Sequence, residues 1–124
     1  MSRVLLVEDE ELNRVLVRAI LSRAGHDTVK AIELIEAGDL RTARTALDDG
    51  KVDLILLDVN LPDGNGLSLA NDLADRADRP QVVALTASVL PHERAAAMAA
   101  GCDAFLDKPY AAQELLDLLV NRLS

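Results

Sequence analysis

The chain has 124 residues, the size of one ordinary domain, and that length suffices for a hydrophobic core without disulfides or a structural metal. Half of the residues are apolar, which excludes disorder. A net charge of −8, from 21 acids against 13 bases with no basic run, excludes direct nucleic-acid binding. Cys102 is the sole cysteine, which suits a reducing compartment, and the apolar stretch Val4–Val7 is too short for a signal peptide or membrane span. A cytoplasmic location with no membrane contact is expected.

Strand-length apolar runs alternate with helical patterns five times. Val4 to Val7 is the first expected strand, followed by a helix over Glu10 to Ala24 that Gly25 ends as a C-cap glycine. The second strand is placed at Thr28 to Ile32, and Arg41 to Leu47 forms a short helix before Gly50. That placement leaves Glu33 to Leu40 as a long connection. Val52 to Leu57 is nearly continuous apolar sequence, as for a strand covered on both faces. Leu67 to Ala77 is the third helix and Gln81 to Leu85 the fourth strand. Pro91 opens a helix through His92 to Ala100, which Gly101 stops. Ala104 to Leu106 is the last strand and Ala111 to Leu123 the last helix. Five βα units with short connections imply one domain over residues 1–124, a doubly wound (βα)5 flavodoxin-like three-layer sandwich with parallel order 2-1-3-4-5. With only Phe105 and Tyr110 aromatic, its core must be aliphatic.

Ligands of such sheets bind beyond the carboxyl ends of the strands. The residues just past those ends are Glu8 and Asp9 after the first strand, Asp58 after the third, Thr86 after the fourth, and Lys108 and Pro109 after the fifth. Clustered carboxylates repel one another unless a cation lies among them, and an all-oxygen set suits Mg²⁺. A carboxylate can accept a phosphoryl group, with metal and ammonium offsetting charge on the transferring oxygens. Taken singly, an acidic pair at a helix start complements the helix dipole, and a lone Thr or Lys is solvated. The coincidence of all of them at one sheet end favours chemistry.

The segments Val7-Glu8-Asp9-Glu10, Leu57-Asp58-Val59-Asn60-Leu61-Pro62-Asp63-Gly64-Asn65-Gly66, Leu85-Thr86-Ala87 and Asp107-Lys108-Pro109 resemble the signatures of two-component response-regulator receiver domains. The first-helix wording is similar to stand-alone receivers of the cell-cycle regulator type and to hybrid-kinase receivers. The resemblance implies a signalling switch phosphorylated on Asp58, not a turnover enzyme. It implies Mg²⁺ held by Asp9, Asp58 and the Asn60 carbonyl, with Glu8 acting through water. Thr86, the Ala87 amide and Lys108 would hold phosphoryl oxygens, Thr86 and Phe105 would form the switch pair, and the Lys108–Pro109 bond would be cis. A histidine kinase or histidine phosphotransferase would be the phosphodonor, and a downstream protein the target. Asn60 and Ser88 lie where receivers tune phosphoryl lifetime.

Two other functions compete. A small aspartate-nucleophile phosphatase usually carries a second acid two residues after the nucleophile, where this chain has Asn60. A flavin module of similar topology would need aromatic residues to stack its ring, and this chain has only two. The glycines Gly64 and Gly66 suit a turn below the site better than a phosphate cradle, because no GxxxxGK follows. On the first helix, Leu16, Val17, Ile20, Leu21 and Ala24 form an apolar stripe expected to cover the sheet. Leu12, Val15 and Ala19 fall on a largely separate face beginning beside Asp9. Leu12 and Val15 are expected to be exposed and to receive the phosphodonor.

Overall fold

Side chains that alternate along buried strands must find cover on both faces of a sheet, and here they do. The computed structural model describes residues 2–87 and 90–123. In chain order the elements are β1 (Ser2–Val7), α1 (Glu11–Arg23), the single turn α2 (Asp27–Lys30), β2 (Ile32–Ala37), α3 (Leu40–Asp49) and β3 (Leu54–Asp58). The two-residue strands β4 (Asn60–Leu61) and β5 (Gly64–Asn65) follow, then α4 (Leu67–Leu73), β6 (Gln81–Thr86), α5 (Pro91–Ala99), β7 (Ala104–Asp107) and α6 (Ala112–Leu123).

Five strands form a parallel sheet in the order β2-β1-β3-β6-β7. Setting aside the β4–β5 hairpin, this is the expected 2-1-3-4-5 order. Leu5, Val7, Ile55, Leu57, Val82 and Ala84 point to one core, closed by α3, α4 and α5 through Ala43, Leu47, Leu69, Leu73 and Ala97. Their neighbours Val4, Leu6, Leu54, Leu56, Val83 and Leu85 point to the other, closed by Val17 of α1 and Leu115 and Leu119 of α6. The one-residue alternation therefore builds three layers. Cys102 is buried, and burial, with the nearby Asp103 charge, pushes its thiol up to about 11. Among the described residues no helix is long and apolar enough to cross a membrane.

The second strand is not where its sequence suggests. Residues Thr28 to Lys30 belong to the turn α2, whose start is capped by His26 Nδ1 accepting from the Thr28 N–H at 3.1 Å. The strand is Ile32–Ala37, paired in register with Ser2–Val7. Its charges disguised it: Glu33 pairs with Arg3 at 3.3 Å, and Glu36 with Arg18 at 3.0 Å and Arg14 at 3.6 Å. Edge strands tolerate such charges, whereas isolated sequence reads them as loop. The long connection over Glu33 to Leu40 therefore does not exist; only Gly38 and Asp39 separate β2 from α3. Gly25 likewise is no C-cap glycine, because α1 ends on Ala24 in extended backbone and Gly25 does not take a left-handed φ. Gly101, at φ 106°, does end α5 as expected. The helix over Leu67 to Ala77 stops at Leu73, its last buried side chain.

Candidate functional site

The chain order reverses direction between β1 and β3, so their carboxyl ends open the crevice where doubly wound sheets bind ligands. Glu8 and Asp58 stand there, 1% and 7% exposed. Glu8 is fixed through its backbone: its N–H donates to the Ala37 carbonyl at 2.9 Å, and its own carbonyl accepts from Arg14 Nη1 at 2.7 Å. Asp58 Oδ1 accepts the Asn60 N–H at 3.0 Å. Lys108 comes from the end of β7, its N–H donating to the Thr86 carbonyl at 2.9 Å, and its bond to Pro109 is cis. Its Nζ donates to Glu8 Oε2 at 2.7 Å and to Asp58 Oδ2 at 3.2 Å. Gly66 lies so close beneath Asp58 that a Cβ there would collide with the Asp58 carbonyl oxygen. A glycine is needed at that position for close approach, not for an unusual φ.

Burial alone would raise the Glu8 carboxyl, but the Lys108 ammonium and the Glu10 N–H outweigh it and hold Glu8 below the ordinary carboxylate range. Asp58 moves the other way. Burial, with the Glu8 charge, raises it against the opposing Asn60 N–H and Lys108. Burial would lower Lys108, yet Glu8 and Asp58 together keep it above its ordinary value. Oxygens of Glu8, Asp9 and Asp58 lie within 4.8 Å of one another. Three carboxylates against the single ammonium leave two negative charges in one small volume. A hard divalent cation matches both that surplus and the all-oxygen donor set.

The β6–β7 side is built differently. Thr86 and Ala87 line a cavity of about 330 Å³ with Asn60, Ala84, Ala97 and Phe105. Thr86 pairs with Asp107 across the two strands, and Phe105 is only partly buried against the core. Arg94 of α5 lies over the Phe105 ring, 5.3 Å from its centroid, and is ion-paired to Asp107. Neither Arg94 nor Arg14 carried a local sequence signal, because their partners lie on other elements. Ser88 falls outside the described residues.

On α1, Leu12 is 68% and Val15 42% exposed. Leu16, assigned to the core stripe by its spacing, is instead 52% exposed, while Val17 is buried and Ile20 and Leu21 partly so. The stripe is narrower than its sequence suggests because α1 meets the sheet along Val17 and its later turns. Leu16 and Ile20 share a second cavity, of about 440 Å³, with Ala87, Lys108, Pro109 and Tyr110.

Comparison with known proteins agrees with this arrangement. The response regulator receiver domain family model matches residues 4–120. The chain is 37% identical over 122 residues to the aerobic respiration control sensor protein ArcB of Escherichia coli, covering 94% of this chain and 14% of ArcB's length. It is 31% identical to the polar-differentiation response regulator DivK of Brucella anthropi, covering 97% and 94% of the two chains. Its fold matches the receiver domain of a sensor histidine kinase from Pseudomonas aeruginosa, a structure with a magnesium ion coordinated in the active-site cleft, at TM-score 0.83 and 27% identity over 98% and 97% of the two chains. The chemotaxis protein CheY4 of Vibrio cholerae matches at TM-score 0.86 and 27% identity over 99% of each. This chain therefore belongs to the response regulator receiver domains, the phosphoacceptor switches of two-component systems.

Proposed function

We propose that Asp58 is the phosphoacceptor and that residues 1–124 act as a single receiver unit, cytoplasmic and self-modifying rather than a turnover enzyme. The observation carrying this reading is the meeting of the Glu8, Asp9 and Asp58 carboxylates with Lys108 Nζ at the switch point of the sheet. Asp9, Asp58 and the Asn60 carbonyl would hold Mg²⁺, with Glu8 acting through water. When bound, the ion offsets the surplus negative charge and that of the transferring phosphoryl oxygens.

The chain's own residues do the rest. The Asn60 N–H and Lys108 hold the Asp58 carboxylate from two sides, which orients it for in-line attack. A carboxylate oxygen of Asp58 bonds to phosphorus as the bond from phosphorus to the donor's imidazole nitrogen breaks. The electron pair of that bond stays on the nitrogen. Lys108, the Thr86 hydroxyl and the Ala87 amide receive the phosphoryl oxygens. Thr86, drawn inward, leaves room in the cavity it shares with Phe105 for the ring to turn in.

The donor is a histidine kinase or histidine phosphotransferase, and the output is a downstream protein. A histidine-bearing helix laid along α1 would meet Leu12, Val15 and Leu16 first, next to the cavity walled by Lys108, Pro109 and Tyr110. Changing Leu12 and Val15 together to Asp is expected to slow phosphotransfer from that donor at least tenfold, the scale of losing a hydrophobic anchor. Phosphorylation by acetyl phosphate should be unchanged, and equal slowing of both would place these residues in the fold rather than at the interface. The assignment of Asp58 is tested by mass spectrometry after incubation with acetyl phosphate. One phosphoryl group is expected on the wild type, only with Mg²⁺, and none on Asp58→Asn. Equal modification of the two proteins would refute it, and sustained turnover of phosphoesters would favour the phosphatase reading.

A further inference from the structure

The first amides of α3 are held from two places. Asp39, the N-cap, accepts the Thr42 N–H at 2.7 Å, a bond local to the helix. The Leu40 and Arg41 N–H groups donate instead to Asp63, at 2.9 Å to Oδ1 and 3.2 Å to Oδ2. Asp63 stands at the tip of the β4–β5 hairpin, more than twenty residues along the chain. The tip is shaped for this contact. Gly64 takes φ 148°, and a Cβ on it would press on Leu40 Cδ1 at 3.2 Å. A carboxylate at a helix N-terminus is favoured by the unpaired amides and the dipole, so a second cap for α3 is the plain reading.

Connectivity adds more. The start of α3 is joined through Gly38 and Asp39 to Ala37, whose carbonyl accepts the Glu8 N–H. On the other side, Asp63 is three residues from Asn60, whose N–H holds Asp58 Oδ1, and the returning strand leads to Gly66 packed under Asp58. Each oxygen of one carboxylate thus ties the loop after β3 to the corner that seats Glu8. Building on the cation site described above, we propose that Asp63 is a positioning residue for that site. It touches neither ion nor phosphoryl group; it acts through the hairpin, fixing Asn60 and Asp58 relative to Glu8. Residues that orient metal ligands from outside commonly contribute 10–100-fold to affinity.

Asp39 supplies the control, since it caps the same helix without reaching the hairpin. Mg²⁺ is titrated into wild type, Asp63→Ala, Asp63→Asn and Asp39→Ala by calorimetry, with amide spectra recorded to verify folding. Asp63→Ala should weaken Mg²⁺ binding about tenfold. Asp63→Asn, which keeps one acceptor oxygen, should fall between it and wild type. Asp39→Ala should lower the melting temperature yet leave Mg²⁺ affinity as in wild type. Unchanged affinity in Asp63→Ala, or an equal loss in Asp39→Ala, would overturn the proposal and reduce Asp63 to a helix cap. If Asp63→Ala does not fold, Asp63→Asn decides, and wild-type affinity in it overturns the proposal. A wild type that binds no Mg²⁺ would instead overturn the cation site itself, a distinguishable result.

Discussion

Around β1 and β3 the carboxyl edge of the sheet is closed. Glu8 and Asp58 are buried, each is held by backbone bonds and by Lys108, and Gly66 packs directly beneath. Around β6 and β7 the same edge is loose. Thr86, Ala87 and the half-buried Phe105 line a cavity of about 330 Å³, and the walls facing them include Ala84 and Ala97. The two halves meet at Lys108, whose backbone N–H is bonded to Thr86 and whose ammonium bridges the carboxylates. Fixed geometry suits attack on phosphorus, whereas free volume beside a ring leaves room for a second packing. On the proposed function, the closed half would hold the chemistry and the open half would read its outcome.

Truncation and enlargement should therefore have unequal effects in the two halves. Leu57→Ala, in the closed half and fully buried, should destabilise the fold by about 3 kcal/mol, within the range for buried leucines. Ala97→Val, which adds volume at the cavity wall, should cost about 1 kcal/mol or less, most of it helix propensity. Urea denaturation of both variants checks this. Equal destabilisation would erase the contrast between the halves. Arg94→Ala should have a smaller effect on stability, about 0.5 kcal/mol, because both of its contacts are near solvent. It should nevertheless move the Phe105 ring resonance, since the guanidinium lies over that ring. An unmoved resonance would remove Arg94 from the account of the switch.

Much of this was legible in the sequence, for a physical reason. The strands β1, β3 and β6 are buried on both faces, so their apolar runs announce them. The residues that follow such strands in a doubly wound sheet are placed by topology, and thus Glu8, Asp9, Asp58 and Lys108 meet at one end of the sheet, with Thr86 at the end of the neighbouring strand. β2 is hidden in the sequence because it is an edge strand whose glutamates are matched by arginines on β1 and α1. Helical spacing alone points Leu16 inward, because it defines a stripe but not how closely the helix approaches the sheet. The hairpin of two-residue strands is too short for any periodicity. The partners of Asp63 and Arg94 exist only after folding, since each pair joins separate elements.

On the proposed function, modification of Asp58 in the closed half repacks Phe105 in the open one. Phe105 is the sole phenylalanine, so fluorinated phenylalanine gives a single ring resonance without assignment. Its spectrum is recorded with Mg²⁺ alone and with Mg²⁺ and beryllofluoride, a phosphoryl mimic. A new ring resonance is expected only when both are present, absent in Asp58→Asn and absent in Thr86→Ala, although the Thr86→Ala protein still binds the mimic. A ring resonance that stays in place while amides around Asp58 shift would contradict it.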